Sequence, residues 1–210
     1  GDNPLGPFKF TGVIMDESPT GCWTNHQSII EFKNQLYLFY HHNDYSPNFD
    51  KARSVRADSL FFNADGSIKK VVPTLRGIGI SDATKEIQVD RYSAISDNGA
   101  TIEFIDTLDR FKGWKTIWNG QGAWVQYNTV DFGKKPLKSI YINAMSAAGG
   151  TIQLRAGSVT GPLVAEVKIP KSSQWKMVKS IVAKSPTGVN NLFVVSKDGR
   201  QVEADWIRFE

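Results

Sequence analysis

The stretch Gly113–Tyr127, G-W-K-T-I-W-N-G-Q-G-A-W-V-Q-Y, gathers three tryptophans, a tyrosine and three glycines into fifteen residues. An indole face beside amide side chains suits a sugar ring. The apolar C–H face of the sugar stacks on the indole, and its hydroxyls meet the polar rim. Trp124–Tyr127 reads as the start of a strand, with Trp118–Gly122 as a loop presented before it. Asn119, Gly120 and Gly122 let that loop turn tightly and keep the surface beside Trp118 low. Trp118 is therefore expected to be exposed, and Trp124 to be core.

A second group of residues could bind a cation. Gln88 and Asp90 are two apart, so on a strand they share a face. Asp205 lies on the final strand, which in a sandwich can run beside the first. Side-chain oxygens from two strands plus backbone carbonyls make a calcium site. On spacing alone, an ordinary solvated strand face is the favoured reading of Gln88 and Asp90. The three histidines, His26, His41 and His42, have no zinc-ligand spacing.

The elements that position these residues are short β runs. In the first part, Ser28–Phe32 and Gln35–His41 flank Lys33-Asn34, a hairpin turn by composition. Phe8–Met15, Arg53–Asn63 and Ser67–Val72 are further β-rich runs, and Ala64-Asp65-Gly66 is a tight turn. Asp16–Thr24 and Asn43–Lys51 read as loops. Asp58 and Asp65 read as strand-end and turn residues. Small and polar residues over 76–86 mark a boundary, giving segments 1–78 and 79–210. Beyond it, about nine β runs recur with turn signals between them. Ile140, Ile142 and Ala144 alternate with Tyr141 and Asn143, and Ile207 and Phe209 share a core face. This spacing predicts an all-β chain: an antiparallel, jelly-roll-like β-sandwich preceded by a small antiparallel sheet.

Composition removes several function classes. The chain has 210 residues, 40% of them hydrophobic, enough for a packed core. Net charge is +4, with the excess beyond residue 80 and no dense basic run interleaved with aromatics, which argues against a nucleic-acid surface. No apolar run reaches the length of a membrane span. The opening G-D-N-P-L-G-P has neither a basic n-region nor an apolar h-region, so no signal peptide is expected in this stretch. The single cysteine, Cys22, excludes an internal disulfide.

Three strings in the first segment carry a resemblance: G-P-F-K-F-T-G-V-I-M, C-W-T-N-H-Q-S-I-I-E-F-K-N-Q-L-Y-L-F-Y-H-H and R-S-V-R-A-D-S-L-F-F-N-A-D-G-S-I. Over Gly6–Gly77 they resemble the last blade of glycoside hydrolase family 43, β-propeller enzymes that cleave arabinosides and xylosides. The resemblance implies that His26 helps hold a cation or water beneath the active site, and that Arg53 faces the active-site end. Gln27 stands where the family has a second histidine. An inverting glycosidase needs two carboxylates ~6.5–9.5 Å apart. The family takes these from earlier blades, and Glu31, Asp44, Asp50 and Asp58 sit in no matching string. No catalytic residue is assigned, and this chain alone is expected to be inactive. A single blade cannot close a propeller, so its apolar faces need cover from the sandwich or from a second copy of the chain.

Residues 86–210 resemble carbohydrate-binding module family 6, on E-I-Q-V-D-R-Y-S-A, W-N-G-Q-G-A-W-V-Q-Y, A-G-G-T-I-Q-L-R-A-G-S-V-T-G-P-L and E-A-D-W-I-R-F-E. The resemblance implies a structural calcium at Gln88, Asp90 and Asp205, with Gln88 replacing an acid. It also implies a sugar held between Trp118 and Trp175, with Glu103 hydrogen-bonding its hydroxyls. Glu203 stands where the family has a hydrogen-bonding asparagine. Trp206 shares a face with Arg208 and takes no ligand role, and Trp114 is unassigned. The implied ligand is an oligo- or polysaccharide of the xylan or arabinoxylan type, bound outside the cytoplasm (secreted, periplasmic or at the cell surface). Two other readings stay open. One is a truncated arabinosidase or xylosidase, and the other is a support module without a ligand.

Overall fold

A computed structural model describes residues 3–17, 25–42 and 53–210. Cys22, Asp44, Asp50 and the two loops expected to carry them lie outside the described residues or border on them. The chain divides into two compact units, Gly1–Ile78 and Gly79–Glu210. Among the described residues there is no α-helix, and no helix long and apolar enough to cross a membrane.

The first unit is a three-stranded antiparallel sheet, β1 (Ser28–Phe32), β2 (Gln35–His42) and β3 (Ser54–Leu60), in that order. Lys33 and Asn34 both take positive φ, 51° and 61°, as a two-residue hairpin with the twist of its strands requires. Leu38, Tyr40, Leu60 and Val71 form a small core. Asp58 is not a strand-end residue. It lies mid-strand and buried, accepting from Tyr40 Oη (2.6 Å), Thr74 Oγ1 (2.5 Å) and Thr74 N (3.1 Å). Burial, and then the bond to Asp58, push the Tyr40 hydroxyl far above its ordinary pKa. Two expected strands do not form. Phe8–Met15 contributes a single bridge, Met15 to Val71, and Ser67–Val72 adds only a bridge from Ile68 to Phe62. Phe8, Phe10, Ile29, Ile30, Phe32 and Val55 remain exposed.

The second unit is a β-sandwich. Its strands are β4 (Ser81–Asp82), β5 (Ile87–Gln88), β6 (Ala94–Ile95), β7 (Ala100–Phe104), β8 (Trp114–Trp118), β9 (Trp124–Asp131), β10 (Ser139–Ser146), β11 (Gly150–Ala156), β12 (Leu163–Ile169), β13 (Ser172–Ile181), β14 (Val189–Ser196) and β15 (Val202–Phe209). One sheet runs β13-β10-β15-β8-β7, with β5 also on β15. The other runs β12-β11-β14-β9-β4, with β6 also on β9. Pairings are antiparallel except the two-residue pairing of β4 with β9. Period-two alternation builds the core. Ile140, Ile142, Ala144, Ala204, Ile207 and Phe209 of the first sheet are buried. So are Val125, Tyr127, Ile152, Leu154, Leu192 and Val194 of the second.

The two tryptophans of the opening stretch exchange their expected places. Trp118 is the last residue of β8 and is 0% exposed, inside the main core. It shares its strand face with Thr116, also 0% exposed, and pairs with Val202 and Ala100. Trp124 begins β9 on the opposite phase to Val125 and Tyr127. It is half-buried and packs on Phe193, ring centroids 5.5 Å apart. The glycines serve the backbone rather than a ligand. A Cβ on Gly99 would lie 2.8 Å from the Cα of Gly120, so the two segments approach closely only as glycines. Asn119 N bonds Gly99 O at 2.9 Å, which holds the turn directly behind Trp118.

Candidate functional site

A hairpin builds the site. In β7 and β8, Glu103 lies opposite Lys115, and Phe104 opposite Trp114. The strands are joined by residues 105–113. The run W-K-T-I-W is β-forming and alternating, and read as a strand it puts Lys115 and Ile117 on one face, with Thr116 and Trp118 on the other. Glu103 and Lys115 thus face away from the core.

A cleft of about 600 Å³ lies beside this hairpin. Glu103 and Phe104 of β7, Lys115 of β8, Trp175 of β13, and Ile105, Asp106, Thr107 and Lys112 of the connecting loop line it. β13 and β7 are at opposite edges of the sheet, so Trp175 needs a device to reach it. That device is a bulge. Lys176 pairs with Ala144 and Ser172 with Ser146, which leaves Ser173, Gln174 and Trp175 opposite Met145 alone. The extra residues leave the ladder and re-aim the strand.

Behind the cleft runs an ion pair that the sequence reading missed. Lys115 Nζ donates to Glu203 Oε2 at 2.6 Å, with the two side chains only 14% and 11% exposed. Gln201 Nε2 donates to Glu203 Oε1 at 3.0 Å. Glu203 is therefore buried and engaged on both oxygens. Of the four residues expected to meet a sugar, Glu103 and Trp175 line the cleft, and Glu203 touches it through Lys115. Trp118 is corrected: its burial leaves no face for a ligand. Breaking a buried pair by removing one partner leaves an uncompensated charge. Lys115→Met is expected to cost roughly 3 kcal/mol of unfolding free energy in urea denaturation. Adding Glu203→Leu should recover most of it. A double variant no more stable than the single one would show that the pair is not what holds this region.

The loop itself is braced. Lys112 Nζ donates to Asp106 Oδ2 at 2.8 Å, and this bond, followed by that from Leu108 N, holds the Asp106 carboxyl below the usual carboxylate range. Asp106 is thus a poor proton donor. Phe104 stacks on Trp114 at 3.8 Å between centroids, and the Arg110 guanidinium lies 5.2 Å from the Phe104 ring centre.

The metal candidates are placed unequally. β5 ends at Gln88 and a turn follows. Gln88 stays exposed while Asp90 is 3% exposed, so the two do not share a strand face. Asp205 sits in a second bulge: Asn143 pairs with Trp206 and Ala144 with Ala204, leaving Asp205 without a ladder partner. Its backbone oxygen accepts from Val89 N at 2.9 Å, which brings it beside the turn carrying Asp90. Burial, and then the negative charges of Asp90 and Glu86, hold the Asp205 carboxyl above its ordinary range, against a bond from Asn143 Nδ2 (3.1 Å). Arg91 Nε reaches Asp90 Oδ2 at 3.2 Å. Among the described residues, no three His, Cys, Asp or Glu side chains group closely enough to hold a metal unaided. Arg208 lies 5.9 Å from the Trp206 ring centre, on the outer face.

In the first unit, the exposed His26 meets the buried His41 edge-on, ring centroids 5.3 Å apart. Burial, then the charges of Arg53 and His26, lower the His41 pKa, and neither of its ring nitrogens has a hydrogen-bond partner. His26 and Arg53 thus share an environment with His41, to which sequence reasoning gave no role.

Comparison with known proteins follows the same division. The sequence model of carbohydrate binding module (family 6) matches residues 92–210. An arabinoxylan arabinofuranohydrolase of Paenibacillus polymyxa is 29% identical over 206 residues, spanning 92% of this chain and 32% of its own length. The chain thus spans about a third of that relative. A solved glycoside hydrolase family 43 arabinoxylan arabinofuranohydrolase from Bacillus subtilis, in complex with cellotetraose, superposes with a TM-score of 0.64. The match covers 99% of this chain and 45% of that one at 24% identity, a likeness of fold. A family 6 module from Clostridium cellulolyticum, in complex with xylose, matches with a TM-score of 0.55 at 25% identity, over 62% of this chain and 99% of that one. The N-terminal part resembles glycoside hydrolase family 43 chains.

Proposed function

Because the chain belongs to carbohydrate-binding module family 6 over residues 92–210, we propose that it binds a xylan- or arabinoxylan-type polysaccharide without cleaving it, as an accessory part of a larger glycoside hydrolase. The observation that carries this reading is Trp175, which stands at the register shift of β13 and lines the cleft that Glu103 and Lys115 also line. One aromatic wall and a polar, charged floor are the complement of a sugar ring with one apolar face and a hydroxyl rim. The names of the P. polymyxa and B. subtilis relatives and the xylose-bound C. cellulolyticum module support the choice of polymer. Such a polymer lies outside the cell, so the protein works there. Calorimetric titration with xylo-oligosaccharides and arabinoxylan tests the reading. Wild-type affinity retained in Trp175→Ala would sink it.

The inward packing of Trp118 favours a support module with no ligand. Trp175 outweighs it, since a half-buried indole on a bulge beside an open cleft contributes little to the core. Catalysis by the parent enzyme is assigned to carboxylates other than those of this chain. The sharing of one environment by His26, Arg53 and His41 supports a place for the first unit at the active-site end of that enzyme.

A structural calcium is the second part of the proposal. The donor chemistry fits in part. Asp205 and the buried Asp90 supply carboxylates that repel one another, and the Gln88 amide and backbone carbonyls would complete an oxygen shell. Without the cation, a carboxyl whose folded pKa is raised costs stability once it ionises. Stability should therefore fall as pH rises from about 4 through the raised value. Calcium at a hundredfold excess over its Kd should return about 2.7 kcal/mol. Asp205→Asn should remove both the pH-dependent loss and the calcium response. Thermal unfolding from pH 4 to 8, with calcium or with chelator, reads both. A Tm indifferent to calcium at every pH would exclude the site.

A further inference from the structure

We infer that the tip of the loop joining β7 and β8 is a second sugar-contacting surface, on which Phe111 and Leu108 take the part of a glycan chain that extends past the cleft. This rests on the carbohydrate-binding reading and adds an element that the cleft does not contain. Phe111 is 103% exposed and Leu108 96%, the two most exposed large apolar side chains among the described residues. A flexible loop would fold such side chains inward. This one is held from doing so. Asp106 Oδ1 accepts from Leu108 N (2.9 Å) and Asp109 N (3.4 Å), and Asp109 Oδ1 accepts from Phe111 N (3.3 Å). A 3-10 turn over Arg110–Lys112 follows, closed by Lys112 N to Asp109 O and Gly113 N to Arg110 O, each at 3.2 Å. The Lys112–Asp106 ion pair and the bond from Ile105 N to Gly113 O (3.0 Å) close its base. A surface ordered before binding loses less entropy on binding.

Continuity decides the occupant. Thr107 and Lys112 stand on either side of the tip, and both line the cleft. A linear polymer leaving the cleft on that side passes over the tip, where its C–H face meets a phenyl ring. A protein partner is less well served. Two side chains, with the exposed charges of Asp109 and Arg110 between them, fall far short of the about 800 Å² per partner of a stable interface. A glycan needs only a strip.

The test compares chain lengths in the full 210-residue chain. Xylobiose and xylohexaose are titrated into the wild type, Phe111→Ser, Leu108→Ser/Phe111→Ser and Trp175→Ala, with circular dichroism confirming the fold. The tip variants should bind xylohexaose about tenfold more weakly, the equivalent of about 1.4 kcal/mol, and xylobiose as the wild type does. Trp175→Ala should lose both. Unchanged xylohexaose affinity in both tip variants overturns the inference while leaving the cleft reading intact. Equal loss of both sugars also overturns it, since Phe111 would then belong to the cleft. No binding of either sugar to the wild type removes the carbohydrate reading itself, and the inference with it.

Discussion

Trp175→Ala is expected to weaken binding of xylohexaose or arabinoxylan by about 30-fold or more, the loss typical of a central aromatic anchor worth about 2 kcal/mol. The fold should survive. Trp175 is half-buried on β13, an edge strand, with Lys176 and Met177 exposed beside it, and it lies in a bulge rather than in the ladder. Its removal deletes a wall of the cleft and little of the core. Trp175→Phe should recover part of the affinity, because a smaller aromatic face still stacks. The measurements are calorimetric titration for affinity and urea denaturation for stability. The assignment fails if affinity and stability fall together and in proportion, since Trp175 would then be a structural residue.

Trp118→Ala should behave in the opposite way. Trp118 is among the largest fully buried side chains, surrounded by the core of the sandwich. Truncating a buried aromatic typically costs about 3–5 kcal/mol, through lost transfer energy and the cavity left behind. That is a large share of the stability of a single domain. Urea denaturation followed by circular dichroism should show the midpoint displaced far to lower urea. The fraction that remains folded should bind xylohexaose with wild-type affinity. Trp118→Phe should be milder. The indole N–H has no hydrogen-bond partner, so losing it removes an unpaired buried donor and offsets part of the lost volume. Full stability in Trp118→Ala with lost binding would restore Trp118 to the ligand site. The pair of variants thus separates two tryptophans that composition alone treats alike.

The sequence resemblance grouped residues that the fold also brings together. Glu103 and Trp175 do line one cleft, and Glu203 is linked to it through Lys115. The error at Trp118 came from treating glycine and asparagine as signs of an exposed loop. Gly120 is there because Gly99 passes within van der Waals range, and the turn it makes carries β8 into the core. Alternation within W-K-T-I-W would have separated Trp118 from Lys115, had that run been read as a strand. Lys115 could not be given a role from sequence, since its partner Glu203 is 88 residues away.

Period-two alternation, the Lys33-Asn34 turn and the density of turn signals were enough to determine an all-β chain with a small sheet and a sandwich, because they act over a few residues. Alternation says which side chains share a face. It does not say which face is inside, nor where a strand slips. Tertiary structure decided both. The bulge opposite Met145 turned Trp175 into the cleft, and the bulge at Asp205 set that carboxyl beside Asp90. Bulges arise where two strands distant in sequence cannot keep equal step against a common core. A one-residue slip there exchanges buried for exposed. The same physics exchanged Trp118 and Trp124: each tryptophan's position follows from the register of its strand against partners that local sequence does not specify.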